Sequence, residues 1–338
     1  MRTTRAGFTL VELLVASAIT LVLAGIMVAI LAQMSGEWAR SGGGLAATQQ
    51  GELALETLAR DLQAAVLRRD GRVWLAATVQ PDQRGAGDAG GTLGAWSPPV
   101  PKPGGAGASL VLAPASGRIE DCRFGMAGVW LRFITVAPGT NDTVADASAP
   151  RAVAYQIVRR AVSAGTGAAQ RYGLFRTEVR PYADAEPARA RSTFAVGPDL
   201  LASAYNSSAG GGNLGDAGTI RRPRRDHLLA NDVVDFGVRF RGRAATGGGA
   251  VGLLFPRRDE NRGFAATTSA AVAPGVAAEA MTYGFPDEAE LFVRVLTEEG
   301  ARRIEALEHG RASGADWWTL ALAHSVVVTR LVRLEGAP

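Results

Sequence analysis

Hydrophobic and polar positions along this chain follow three successive patterns. From Leu13 to Ala32 there are 20 residues without a charge, enough to cross an apolar layer about 30 Å thick at about 1.5 Å per helical residue. From Glu52 to Arg69 the apolar residues Leu55, Leu58, Leu62 and Val66 recur at helical spacing, with Glu52, Glu56, Arg60, Asp61 and Arg69 between them. That spacing predicts an amphipathic helix with one apolar stripe. Beyond Asp70 the period falls to two. Val129 to Phe133, Val153 to Ile157, Tyr172 to Arg176, Val234 to Phe240, Leu291 to Val295 and Ser325 to Leu334 alternate or run apolar, bounded by turn residues. Each reads as a strand. A short helix is expected over Glu298 to Glu308.

Glycines punctuate these regimes. Gly36 and the triplet Gly42-Gly43-Gly44 fall between the apolar run and the amphipathic stretch. At about 1 kcal/mol each relative to Ala, they favour a bend there. Long Gly/Ala/Pro-rich stretches, Pro81 to Gly107, Ala183 to Gly218 and Gly242 to Pro274, separate the strand patterns. Strand patterning resumes after each, so they read as insertions within one domain. The expected class is α+β: a long N-terminal helix, its first half membrane-spanning, packed on a mainly antiparallel sheet. The divisions are 1–7 ahead of the helix, 8–33 spanning, 34–70 its amphipathic continuation, and 71–338 a β-rich head.

Composition removes several function classes. The chain has 338 residues, 47% hydrophobic and 20% charged, with 36 basic and 32 acidic residues. Lys102 is the only lysine, and this arginine-rich but nearly neutral balance does not argue for a nucleic-acid partner. Cys122 is the only cysteine, so no intrachain disulfide forms. The three histidines, His227, His309 and His324, have no metal-ligand spacing. No G-x-S-x-G, H-E-x-x-H or P-loop pattern occurs, and no cofactor is expected.

The N-terminus is the most specific signal. Arg2 and Arg5 precede Gly7-Phe8-Thr9-Leu10-Val11-Glu12, which leads into the apolar run. This combination resembles the class III signal of type IV pilins and of type II secretion pseudopilins. The resemblance implies that a prepilin peptidase cuts between Gly7 and Phe8 and methylates the new amine of Phe8. It also implies that Glu12 acts in assembly, facing the Phe8 amine of a neighbouring subunit. Charge asymmetry orients the span with its N-terminus in the cytoplasm and its head in the periplasm. The diffuse order of later elements is similar to J-type minor pseudopilins or W-type minor pilins. On this resemblance the chain is a minor pilin or pseudopilin at or near a filament tip, in the bacterial inner membrane before assembly. Its partners would be the prepilin peptidase, other pilin or pseudopilin subunits and secreted cargo.

Other readings are a tip ligand-binding module (an adhesin or a DNA-uptake minor pilin), a signal-anchored enzyme, and an uncleaved anchor in which Glu12 snorkels to the membrane edge. Asn141, Asp142 and Asp146 offer oxygens to Ca²⁺ but lack the EF-hand pattern. Arg221-Arg222-Pro223-Arg224-Arg225 could touch phosphates, and the bland reading is a solvated loop. Trp317-Trp318 reads as core rather than as a ligand platform.

Overall fold

The computed structural model describes residues 9–79, 110–125, 128–137, 150–161, 170–179, 227–244, 252–268, 276–314 and 316–334. The chain divides into two units, Met1–Leu45 and Ala46–Pro338. The fold is α+β, a long N-terminal helix followed by a curled, mainly antiparallel sheet.

Helix α1 (Leu10–Gln63) has 54 residues. Its hydrogen-bonded pattern continues through Gly42, Gly43 and Gly44, so the glycines do not end the helix. Long helical stretches on both sides let propagation outweigh the local glycine cost. The helix also stops earlier than the apolar stripe suggested. Val66 leaves it, donating its N–H to the Ile134 carbonyl at 2.8 Å, and Ala65 bridges Thr135. The last members of the predicted helix run beside a strand instead.

In the second unit α1 buries Ala47, Gly51, Ala54, Leu55, Leu58, Ala59 and Leu62, an i, i+3/i+4 succession that forms one face. Gly51 sets how closely that face approaches the sheet. A Cβ built there would stand 2.8 Å from Cγ2 of Val328 and 3.4 Å from Cγ2 of Val293.

Among the described residues ten strands form the sheet. They are β1 (Leu75–Val79), β2 (Val129–Thr135), β3 (Arg151–Ala161), β4 (Gln170–Val179), β5 (Leu228–Asn231), β6 (Val233–Ala244), β7 (Gly252–Phe255), β8 (Gly263–Ala265), β9 (Met281–Leu296) and β10 (Ser325–Arg333). Their order is β5-β4-β3-β2-β1-β8-β9-β6-β7, with β10 also on β9. Among the described residues only β8 and β9 pair in parallel. The stretch Gly242 to Pro274, expected as an insertion, contributes β7 and β8. Helices α2 (Glu298–Glu308) and α3 (Trp317–Ala323) lie between β9 and β10. Thr297 caps α2 by accepting from the Gly300 N–H, and Asp316 caps α3 by accepting from the Thr319 N–H.

The sheet curls because β5 runs straight into β6. Asp232 makes the corner at φ 55°, a left-handed conformation that Asp tolerates better than most residues. Its N–H donates to the Tyr172 carbonyl of β4, and its carbonyl accepts from the Leu296 N–H of β9. One residue therefore joins strands from opposite halves of the strand order.

The two faces of the sheet are covered differently. Successive residues of a strand point to opposite faces. Val293 faces α1, so Phe292 faces away, and there Phe124 packs at 6.1 Å between ring centroids. Gly237 lets this happen: a Cβ at that position would fall 2.0 Å from the Phe124 ring. The segment 110–125 buries Leu112, Ile119, Cys122 and Phe124 and is also tied down by polar groups. The Phe124 N–H donates to both Asp235 oxygens, at 3.1 and 3.2 Å. Arg239 donates to the Gly117 carbonyl at 2.8 Å, and Arg294 to the Glu120 carbonyl at 3.1 Å. Asp259 accepts from the Leu112 and Ala113 N–H groups at 2.7 and 2.9 Å.

Candidate functional site

The N-terminal turn of α1 is a capping box. Thr9 is the N-cap, and its hydroxyl accepts from the Glu12 N–H at 3.2 Å. Glu12 Oε2 accepts from the Thr9 N–H at 2.9 Å and from the Thr9 hydroxyl at 3.0 Å. Two amide groups that a helix start leaves unpaired are thereby satisfied. Reading Glu12 only as a charge in an apolar run misses this, although Thr-x-x-Glu is visible in the sequence. The carboxylate is exposed. Among the described residues its second oxygen, Oε1, accepts no hydrogen bond. Gly7 and Phe8 lie outside the described residues.

Downstream, Leu10–Met34 forms 25 residues long and apolar enough to cross a membrane. None of it is buried within the protein, and Leu10 and Leu21 are 80% and 74% exposed. Every side of this helical stretch thus presents apolar surface. That suits a lipid environment or a bundle of other helices better than water.

In the head, Asp61 ties the second half of α1 to the sheet. Its carboxylate is 4% exposed. It accepts from Arg176 Nε at 2.7 Å and Nη2 at 3.3 Å, and from the Tyr155 hydroxyl at 2.5 Å. Tyr155 and Arg176 face each other across β3 and β4. The Asp61 main-chain carbonyl accepts from the Thr135 hydroxyl at 2.8 Å. Burial, and next the Asp61 charge, hold the Tyr155 hydroxyl well above its usual pKa, so it stays a donor.

A second buried carboxylate fixes the α2–α3 excursion. Glu308 accepts from Arg159 Nη2 at 2.8 Å, from Trp317 Nε1 at 3.1 Å and from the Tyr172 hydroxyl. Both charged side chains of the pair are 3% exposed. Trp317 and Trp318 are buried and edge-on to each other at 5.0 Å, which agrees with their reading as core.

A third carboxylate, Asp235, is fully buried beside Arg294, its cross-strand neighbour. Burial outweighs Arg294 and the amide donors, and its pKa rises to about 7. Cys122 is buried near Arg239 Nη2 at 3.5 Å. Burial pushes its thiol up to about 11, which keeps it protonated and a poor nucleophile. Asn141, Asp142, Asp146 and the arginine run 221–225 lie outside the described residues.

These carboxylates are built into the joints between secondary-structure elements, each accepting hydrogen bonds from its own neighbours. The exposed features are the apolar helix and its capped start. Residues 2–28 match the family described as the prokaryotic N-terminal methylation motif. The match supports the type IV pilin-like and pseudopilin superfamily and, with the apolar helix it overlaps, is consistent with a membrane-anchored pilin. No curated protein and no solved structure matches the chain.

Proposed function

We propose that this chain is a minor pilin or pseudopilin, a structural subunit of a type II secretion pseudopilus or a type IV pilus. The observation that carries the reading is a methylation motif at residues 2–28 that takes in most of the exposed apolar helix Leu10–Met34. The role is assembly rather than catalysis. The prepilin peptidase removes residues 1–7 and methylates Phe8. The helix holds the subunit in the inner membrane, N-terminus cytoplasmic and head periplasmic, until it joins a bundle of similar helices. Glu12 serves twice. Its Oε2 completes the capping box, and its Oε1 is open to the Phe8 amine of a neighbour. The head, with insertions longer than a filament shaft accommodates easily, occupies the tip or a place near it, as in J-type pseudopilins or W-type minor pilins. There it meets sister subunits or secreted cargo.

The test is N-terminal sequencing of the membrane-extracted protein after co-expression with a prepilin peptidase. The mature chain is expected to begin at Phe8, and Gly7→Leu to leave the precursor uncut. A chain that still starts at Met1, or one that starts beyond Ala32, overturns the reading.

A further inference from the structure

The loop that follows α1 has a charge arrangement unlike the helices around it. Arg68, Arg69 and Arg72 are all exposed within five residues. The Arg68 guanidinium lies 5.3 Å from the centroid of the Trp74 ring, and that of Arg69 lies 5.0 Å from the Phe285 ring. Asp70 lies between them in sequence; its Oδ1 accepts from Trp74 Nε1 at 2.9 Å and from the Arg72 N–H at 3.0 Å, and its charge acts on Arg72 alone of the three. Among the described residues no carboxylate forms an ion pair with Arg68, Arg69 or Arg72. Exposed arginines on the helices are treated differently. Arg60 meets Glu56, Arg302 meets Glu298 and Arg303 meets Glu299.

We infer that this loop is a docking site for a short acidic polypeptide segment of a partner protein. Two guanidinium planes rest on buried aromatic rings, so part of the side-chain freedom that binding would remove is already gone. Their forked N–H groups suit carboxylates. Arg68 and Arg72 are four positions apart, at most about 14 Å of extended chain. Within that limit the three arginines can meet acidic side chains two to four residues apart on one extended strand. Stabilisation of the α1 C-terminus does not account for the cluster. The helix ends at Gln63, and dipole effects fade within the last turn. Nucleic acid fits less well. The ring faces are occupied by the protein's own arginines, leaving no platform for bases, and three cations are few beside the six to ten phosphate contacts of a strong duplex binder. The inference draws on the filament reading only for where such a partner would stand. Its test needs no filament, so the two fail separately.

The probe is a fluorescently labelled poly-Glu peptide, titrated by anisotropy against the full chain in a neutral detergent. A labelled oligonucleotide of equal charge is titrated in parallel. The wild-type chain is expected to bind poly-Glu in a salt-sensitive way, and more tightly than the oligonucleotide. The triple variant Arg68→Gln, Arg69→Gln, Arg72→Gln should weaken this binding about tenfold or more, at a few-fold for each charged contact. The triple Lys variant keeps the charge and the apolar stems that cover Trp74 and Phe285. It should still lose about threefold, because lysine lacks the fork. It supplies the measurement if the Gln variant folds poorly. Undiminished binding by either triple variant overturns the inference. So does preferential binding of the oligonucleotide through the same three residues, which would make the loop a phosphate reader.

Discussion

Removing the Asp61 carboxylate tests whether a polar anchor, rather than the apolar stripe alone, holds α1 to the head. In Asp61→Ala, Arg176 loses its bonds at 2.7 and 3.3 Å. The Tyr155 hydroxyl, itself fully buried, loses its acceptor. Breaking a fully buried ion pair by deleting one partner costs about 3–5 kcal/mol. Arg176 is 15% exposed and keeps other contacts, which places the expectation at the lower end, about 3 kcal/mol. For a domain of this size that lowers the unfolding temperature by about 6–9 °C. The assay is urea and thermal unfolding of residues 46–338, wild type against Asp61→Ala, Tyr155→Phe and the double variant. Tyr155→Phe alone should cost about 1–1.5 kcal/mol. The double variant should lose less than the sum by at least about 0.5 kcal/mol, since the two groups share one bond. An Asp61→Ala cost below about 1 kcal/mol, or strict additivity with Tyr155→Phe, would show that the buried pair merely offsets its own desolvation. The helix would then be held by packing alone.

Three further expectations concern the head and the helix start. Asp235 has a folded pKa of about 7 against an ordinary 3.8, so between those values the native head holds a proton that the unfolded chain has lost. Stability from this group is therefore fully present below about pH 4 and falls as pH rises to about 7, by on the order of 4 kcal/mol. Urea midpoints compared at pH 5 and 7.5 should favour the lower pH in the wild type, and Asp235→Asn should flatten the difference; parallel profiles for both proteins would refute the assignment. Gly51→Leu should destabilise the head by about 1–3 kcal/mol, because even a Cβ meets Val328 at 2.8 Å; an unchanged thermal midpoint would mean that α1 can lift from the sheet at no cost. Glu12→Gln keeps a side chain able to complete the capping box but removes the charge, so cross-linking to partner subunits in membranes should fall while helicity is retained. Wild-type cross-linking in Glu12→Gln would assign Glu12 to capping alone.

The N-terminal segment needed no structure to be read. A charge-free run of 20 residues can satisfy its backbone only as a helix in an apolar setting, and the residues from Arg2 to Glu12 carry a motif read linearly. The capping box was equally local: Thr9 and Glu12 are three residues apart, and their bonds close within one turn. Strands rich in Val, Phe and Tyr were visible for the same reason, since side-chain alternation is a property of the segment itself. What tertiary structure decided depends on residues far apart in the chain. Where α1 ends is set by Val66 finding the Ile134 carbonyl, a strand pairing that the helical spacing of Val66 conceals. The short strands β1, β7 and β8 are defined by partners rather than by their own patterns. β1 reads Leu-Ala-Ala-Thr-Val and is buried on every residue between β2 and β8, so it shows no polar alternation to detect. The partners of Asp61, Asp235 and Glu308 come from other elements, more than 90 residues away for Tyr155 and Asp61. A carboxylate on a helix or strand reads as solvent-facing until the fold brings its donors to it, because the sequence records a side chain's charge but not the dielectric in which folding places it.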